Sequence, residues 1–565
     1  MILTALCRLF LADSRLRPAR AGLFLVLVLA LHGPAHAARE AIASAHPLAT
    51  EAGMQVLARG GNAFDAAVAV ASALAVVEPF TSGMGGGGFF LLHRAADGVE
   101  VMVDARETAP GLARSDMYIG ADGKPVARGS VDGVKAAAIP GVPAGLAWIA
   151  QRYGRMPLST SLVAAIRLAR DGFPVDARYA IVAGLVESKL KTEARTAATF
   201  LDKGSVPAPG FVLRQPELAT TLQAIAERGR DGFYQGDVAQ RMTAAVQAGG
   251  GIWREDDLRR YQVVERAPQH FKYRGARITC ASLPSAGGLT LAESLQILER
   301  FPLDSLGQVE RIHLVVEALR RGFQDRARYL GDPDFVRVPD WLGTRAYADR
   351  RAGTIDPLHA TRSDKLEALS EGDNTTHFSV VDREGNRVAA TLSINLPFGS
   401  GVIAGDTGVL LNDEMDDFAV APGIPNSFQL VAGNANRIEG GKRPLSSMTP
   451  TFLEDDRGLL VFGTPGGSRI ISMMLLGILD YVDGGPPDIV RLVSAPRYHH
   501  QFLPDGIEYE PGAFPQAWID ALKAMGHTLR EGRRRWGNMQ AVYVDRASGE
   551  ASGYSDPRGQ GNAQF

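Results

Sequence analysis

Cysteine is nearly missing from this chain: there are two, Cys7 and Cys280. That excludes a disulfide framework and a zinc site built on thiolates. Cys280 stands in the strand-like run R-I-T-C-A-S-L and reads as a small buried hydrophobe, not a nucleophile. Excess charge of one sign is missing too. The formal net charge is -2, which gives no electrostatic case for nucleic acid or for an anionic membrane surface. Long apolar runs are scarce. The best candidate after the leader, Ala66 to Val77, is Ala-rich, broken by Ser72 and followed by Pro79. It reads as a buried core helix and not as a membrane span. The glycine run S-G-M-G-G-G-G-F-F-L-L, Ser82 to Leu92, has no G-K-[ST] after it and leads into a strand, so it is no phosphate loop. Close backbone packing beside a site explains it better.

What is present suits a globular protein. The 565 residues are 45% hydrophobic and 22% charged, with 63 glycines. Arg8, Arg15, Arg17 and Arg20 precede a short apolar run, Ala21 to Leu31, and A-H-A at Ala35 to Ala37 fits a cleavage site. Residues 1–37 therefore read as a secretory signal peptide, cut before Ala38; the alternative is an uncleaved signal anchor. A secreted, periplasmic location follows, with no membrane segment in the mature form.

Beyond the leader, Pro47 to Ala58 is helical and ends at Gly60-Gly61. Asn62, with Asp65 three residues on, caps a second helix, Ala63 to Val77, apolar almost all round. Val101 to Pro110 is a strand running into a loop, with Arg106 at its end. Pro140 to His270 is mainly helical, Phe271 to Leu283 returns to strand and Gly288 to Phe323 to helix. Arg351 to Asn374 is charged without apolar period, which predicts an exposed, mobile segment. From Thr375 on the chain is strand-rich, with helices near Ser468 to Asp483 and Pro515 to Met525. The mixture predicts a layered α/β architecture.

The stretch E-G-D-N-T-T-H-F-S-V-V-D, Glu371 to Asp382, starts a strand abruptly at two threonines. Thr375 to Val381 and Arg387 to Asn395 form a hairpin if Asp382 and Asn386 close a three-residue loop with Gly385 left-handed. Thr375 then faces Ser393, and His377 faces Thr391. One face carries Thr376, Phe378, Val380, Val388, Ala390, Leu392 and Ile394. The other carries Thr375, His377, Ser379, Thr391, Ser393 and Asn395. The first is core. The second is either a solvated polar face or a site.

A threonine at a chain start carries its own general base, because a free α-amino group has a pKa of roughly 7.7–8.0. Thr375 gains that amine only if the bond from Asn374 is cut. Its own hydroxyl can attack the Asn374 carbonyl, shift the acyl group from N to O, and let water finish.

The segment N-T-T-H-F-S-V-V-D resembles the processing site of γ-glutamyltranspeptidases, which are N-terminal nucleophile hydrolases cut into a large and a small subunit. L-L-N-D-E-M-D-D-F, R-P-L-S-S-M-T-P-T, G-T-P-G-G-S-R-I-I, A-P-R-Y-H-H-Q and S-D-P-R follow in family order. Upstream, G-G-N-A-F-D-A-A-V, G-G-G-G-F-F and D-A-R-E-T-A-P match as well. The resemblance implies a four-layer αββα sandwich, a large subunit 38–374 and a small subunit 375–565. It implies Asn374-Thr375 as processing site, Thr375 as nucleophile, Ser393 as its contact, and Gly466 and Gly467 as oxyanion hole. Arg106, Ser446 and Ser447 resemble the clamp on a substrate α-carboxylate. Asn395, Glu414 and Asp417 resemble the binders of its α-amino group. Pro422 to Asn436 resembles a lid loop, with Phe428 where some relatives have Tyr. His377, His499 and His500 are structural.

The activity implied is cleavage of glutathione or another γ-glutamyl compound through a γ-glutamyl-Thr ester, with water, an amino acid or a peptide as acceptor, and with no cofactor or metal. A glutaryl- or polyglutamate-type acylase of the same family is the near alternative. A processing-defective binding protein is the distant one. Glutaryl has no ammonium, which would leave Glu414 and Asp417 idle.

Overall fold

The computed structural model describes residues 39–363, 375–420, 425–430 and 432–565. The predicted leader and its cleavage site, Asn374 with the segment before it, and part of the lid lie outside them. Residues Arg39–Phe565 form one compact unit. No helix among the described residues is long and apolar enough to cross a membrane.

Two antiparallel sheets face each other. The strands of the first are β1 (Ala41–Ser44), β2 (Gly87–Arg94), β3 (Val99–Ala105), β4 (Val264–Arg266), β7 (Thr376–Val381), β8 (Arg387–Ser393) and β13 (Asn562–Gln564), in the order β13-β1-β7-β8-β2-β3-β4. The second holds β5 (Gln269–Tyr273), β6 (Ala276–Cys280), β9 (Thr451–Glu454), β10 (Gly458–Gly463), β11 (Gln540–Asp545) and β12 (Ala551–Ser555), in the order β12-β11-β10-β9-β6-β5. Helices α1 (Pro47–Ala58), α2 (Ala63–Val77) and α3 (Val142–Arg152) cover the outer face of the first sheet. Helices α4 (Gly287–Leu298), α6 (Arg469–Asp483) and α7 (Ile489–Ser494) cover the second, with the long α5 (Gln308–Tyr329) packed on α4. The result is the expected αββα sandwich.

Local chemistry explains the central elements. Asn62 caps α2: its side chain accepts from the amides of Phe64 and Asp65, and the Asp65 carboxylate accepts from the Asn62 amide at 3.0 Å. All of α2 is buried, as its uninterrupted apolar surface requires. The β7–β8 register is the predicted one, with Val381 opposite Arg387, His377 opposite Thr391 and Thr376 opposite Leu392. Gly385 sits at φ +86° in the closing loop. The Asp382 carboxylate accepts from the Ala63 amide at 2.9 Å, tying that loop to the start of α2.

Period two sorts the hairpin. Phe378, Val380, Val388, Ala390 and Leu392 pack into the core under α2. The opposite, polar face is not solvated, which removes that alternative. Every residue of β7 and β8 is buried, because the second sheet lies over them. A Cβ on Gly463 of β10 would fall 2.3 Å from the His377 ring, and the Ser379 hydroxyl donates to the Gln540 carbonyl of β11 at 3.1 Å. Between the sheets an apolar layer (Ala43, Leu91, Val381, Ala389, Val461, Val542) gives way to this polar end.

Three expectations change in detail. The strand region after Phe271 is a hairpin, β5–β6, that turns at Arg274-Gly275, both at positive φ. The single helix expected from Gly288 to Phe323 is α4 and α5, interrupted around Pro302. The described part of Arg351 to Asn374 is pinned: Ala360 donates to the Met525 carbonyl at 2.7 Å, Thr361 to Glu317 at 3.1 Å and Ser363 to Asp505 at 2.8 Å. Of these anchors only Glu317 is a buried charge on α5; the Met525 carbonyl and Asp505 come from much later in the chain, which composition does not reveal. Cys280 is buried as expected, and burial pushes its thiol pKa up.

Candidate active site

Thr375 immediately precedes β7 and is 5% exposed. The next residue, Thr376, points the other way and donates to Glu78 at 2.9 Å. That alternation turns Thr375 toward the space between the sheets. There it lines a cavity with Ser393, Asn395, Glu414, Asp417, Phe428, Ser446, Ser447 and Gly467. These are most of the residues singled out from sequence, drawn from segments far apart in the chain.

Glycines bring the backbones close enough. A Cβ on Gly86 would lie 2.1 Å from the Ser393 carbonyl oxygen, and one on Gly85 would lie 2.0 Å from that of Leu410. The glycine run thus lets β2 and the 410–413 segment crowd the end of β8. Asn412 locks the arrangement by donating to the carbonyls of Gly85 at 2.6 Å and Ala138 at 2.8 Å. Asn395 adopts φ +72°, where its amide donates to Ser393 Oγ at 2.8 Å and its side chain to the Asp413 carbonyl at 3.0 Å.

Glu414 and Asp417 lie on a short turn, Glu414–Asp417. Arg106, fully buried, faces them: its Nη1 is 2.8 Å from Glu414 and 3.2 Å from Glu107, and its Nη2 donates to Asp417 at 2.5 Å. Arg106 is absent from the side chains that line the cavity and stands one layer behind the two carboxylates. Burial pushes the carboxyl pKa of Glu414 well up and that of Glu107 up to about 7, against the pull of Arg106. Neither Glu414 oxygen accepts a hydrogen bond from a described residue; its contact with Arg106 is an ion pair without hydrogen-bond alignment. A buried carboxylate so placed calls for a cationic N–H donor.

Opposite lies the turn Gly466-Gly467, at φ +142° and +55°, which opens α6. Both values suit glycine. No hydrogen bond from either amide is found among the described residues. Two unspent N–H groups at a helix start are suited to a developing oxyanion. Phe428 covers this turn: a Cβ on Gly467 would meet its ring at 2.4 Å. Gln501 steadies the cover by donating to the Phe428 carbonyl at 3.1 Å, and it accepts from Ser468 Oγ at 2.5 Å. The free space inside the cavity is about 20 Å³, little more than one water requires.

Five lining residues, Arg326, Leu430, Met448, Ser468 and Ile470, were not singled out from sequence, and Arg326 is the charged one among them. Arg326 of α5 lines the cavity and donates from Nη2 to Ser447 Oγ at 3.3 Å. The only detectable hint in the sequence is periodicity. Arg326 extends the buried stripe of Val315, Ala318 and Gly322 by one more turn.

The histidines remain structural. His377 bonds Thr391 at 2.8 Å and Ser379 at 3.2 Å, and burial lowers its pKa to about 3. His499 and His500 are likewise held neutral by burial. His313, Glu317 and His527 lie close enough to share an ion, yet the two imidazoles bond each other at 2.8 Å and Glu317 pairs with Arg320 and Arg321. Their ligand atoms are therefore already engaged.

Two facing sheets with a threonine at the mouth of an inner strand define the N-terminal nucleophile hydrolase class. The gamma-glutamyltranspeptidase family profile matches residues 49–565, and the chain belongs to that family. It is 40% identical over 536 residues to the glutathione hydrolase proenzyme of Escherichia coli (strain K12), covering 93% of this chain and 91% of that one. Among solved structures it resembles the cephalosporin acylase from Bacillus halodurans, with TM-score 0.82 and 27% identity over 94% of this chain and 96% of that one. It also resembles the Helicobacter pylori gamma-glutamyltranspeptidase, with TM-score 0.56 and 39% identity over 59% of this chain and 97% of that chain.

Proposed function

We propose that this enzyme cuts its own chain between Asn374 and Thr375 and then cleaves γ-glutamyl amides, glutathione among them. The precursor would give a large subunit, 38–374, and a small one, 375–565, after export to the periplasm directed by residues 1–37. In the self-cleavage, Thr375 Oγ attacks the Asn374 carbonyl carbon and the C–N bond breaks as the ester forms. That break frees the Thr375 amine, which takes the hydroxyl proton; water then hydrolyses the ester, releasing the Asn374 carboxylate and restoring the Thr375 hydroxyl.

In turnover that amine takes the hydroxyl proton while Oγ attacks the γ-carbonyl. The oxyanion faces the Gly466-Gly467 amides, and one such donor is typically worth ~3–4 kcal/mol of barrier. The proton passes to the departing amine, leaving a γ-glutamyl-Thr ester. Water releases glutamate; an amino acid or peptide amine gives a new γ-glutamyl compound. Ser393 orients Thr375. Ser446 and Ser447 meet the α-carboxylate, and Asn395, Glu414 and Asp417 meet the ammonium.

The observation that carries this reading is Glu414: a buried carboxyl group that lines the cavity holding Thr375 and, beyond its ion pair with Arg106, accepts no hydrogen bond from a described residue. A glutaryl-type acylase is the second reading, favoured by the likeness to the cephalosporin acylase. It supplies no ammonium for Glu414. Release of the anilide from γ-glutamyl and glutaryl anilides, wild type beside Thr375→Ala, separates them. Preference for γ-glutamyl is expected. Preference for glutaryl establishes the acylase, and turnover of neither supports a binding role.

A further inference from the structure

Asp413 is fully buried and does not line the cavity of Thr375, yet it joins the two halves of the proposed ammonium site. One half is Asn395, just after β8; the other is the turn Glu414–Asp417, which begins at the next residue. Asp413 bonds the first half three times. Its amide donates to the Ile394 carbonyl at 3.2 Å, its carbonyl accepts from the Asn395 side chain at 3.0 Å, and its Oδ1 accepts from the Leu396 amide at 2.9 Å.

That half needs holding. Asn395 and Phe398 adopt φ +72° and +57°, a region that side chains other than glycine enter at a cost and keep only where their surroundings impose it. The first two bonds of Asp413 involve its main chain and survive a change of side chain. The third does not, and its loss leaves the buried Leu396 amide without an acceptor among the described residues. Burial pushes the Asp413 carboxyl pKa up, while Lys189 and the Leu396 amide pull it down. Its Oδ2 accepts no hydrogen bond from a described residue. The group thus supplies one acceptor at one atom, and an amide of the same shape can supply it too.

We propose that Asp413 is the positioning residue for α-amino recognition: through the Leu396 amide it fixes Asn395 against Glu414 and Asp417, and so sets the preference for a γ-glutamyl over a glutaryl group. This rests on the γ-glutamyl reading and adds to it the residue that assembles the amine site.

The test is calorimetric binding of L-glutamate and of glutarate to the cleaved enzyme, since the two differ only in the α-amino group. Wild type is expected to bind glutamate more tightly. Asp413→Ala should weaken glutamate roughly tenfold, the effect of one unmet buried donor, and glutarate roughly threefold or less. Asp413→Asn keeps an acceptor at Oδ1 and should stay within roughly threefold of wild type on both ligands. Equal weakening of both ligands in Asp413→Ala, an unchanged ratio there, or a ratio lost in Asp413→Asn overturns the assignment while the γ-glutamyl reading stands. If Asp413→Ala is not cleaved into subunits, the ratio is read on Asp413→Ser, whose side chain is too short to reach Leu396, and a wild-type value there overturns it. A wild type that binds glutarate as tightly as glutamate overturns both.

Discussion

The ring of Phe428 lies directly on Gly467, so close that a Cβ at Gly467 would meet Cδ1 at 2.4 Å. The cover of the cavity and the amide turn proposed for the oxyanion are therefore in one contact. Removing the cover should loosen the bound acyl group without disturbing the turn. Phe428→Ala is expected to lower kcat/KM on γ-glutamyl anilide about tenfold, as the loss of a buried aromatic contact implies. The loss should fall mainly on KM. Phe428→Tyr should stay within about threefold. Steady-state kinetics on the three proteins check this.

Gly86 has no room for a side chain. Its Cβ would lie 2.1 Å from the Ser393 carbonyl oxygen and 2.8 Å from Ile394 Cγ2. Gly86→Ala should destabilise the protein by about 3 kcal/mol, the upper range for overpacking, and displace the end of β8 that carries Ser393. Gly83→Ala is the control, since its nearest contact is 3.5 Å. That change should stay under about 1 kcal/mol. Thermal melting of both variants decides.

Arg106 pairs with carboxylates that have no other cation as close among the described residues. Arg106→Met should destabilise by about 3–5 kcal/mol, because it leaves the buried Glu107 and Glu414, and the half-buried Asp417, without it. Denaturant titration of the purified variant measures the loss. Arg106→Lys keeps the charge and should recover part of it.

Buried histidines make the fold acid-sensitive. His377 titrates at about 3 in the folded protein, below the usual 6.5, because of its burial. Between those values the unfolded chain binds the proton and the folded one does not. Stability is then full above pH 6.5 and falls as pH drops from 6.5 toward 3. His377 alone accounts for about 1.4 kcal/mol per pH unit in that window. His46, His500 and His527, with pKa values lowered to about 4, 4 and 3, add in the same direction. Melting curves at pH 7.5 and pH 5.5 should show a lower Tm at the acid value, and His377→Gln should narrow the gap.

The local parts of this fold are legible in the sequence. Asn62 and Asp65 announce the start of α2, and Gly385 fixes the β7–β8 register that sends Thr375 and Ser393 to one face. What was not legible depends on distant partners. The polar face of the hairpin reads as either solvated or buried until β10 and β11, far along the chain, are laid over it. The committed ion pairs of Arg106 depend on Glu414 and Asp417 folding back behind the cavity wall. Arg326 lies in a charged stretch of α5 where Arg328, two residues on, is exposed. Composition cannot tell the two apart, and only the packing of α5 on α4 decides which arginine is inside.

The most direct measurement is intact-mass analysis with N-terminal sequencing of the purified protein, wild type beside Thr375→Ala. Expected are two fragments from the wild type, the smaller beginning T-T-H-F, and a single uncut chain from Thr375→Ala. A wild type that remains one chain has no free amine at Thr375 and contradicts the mechanism.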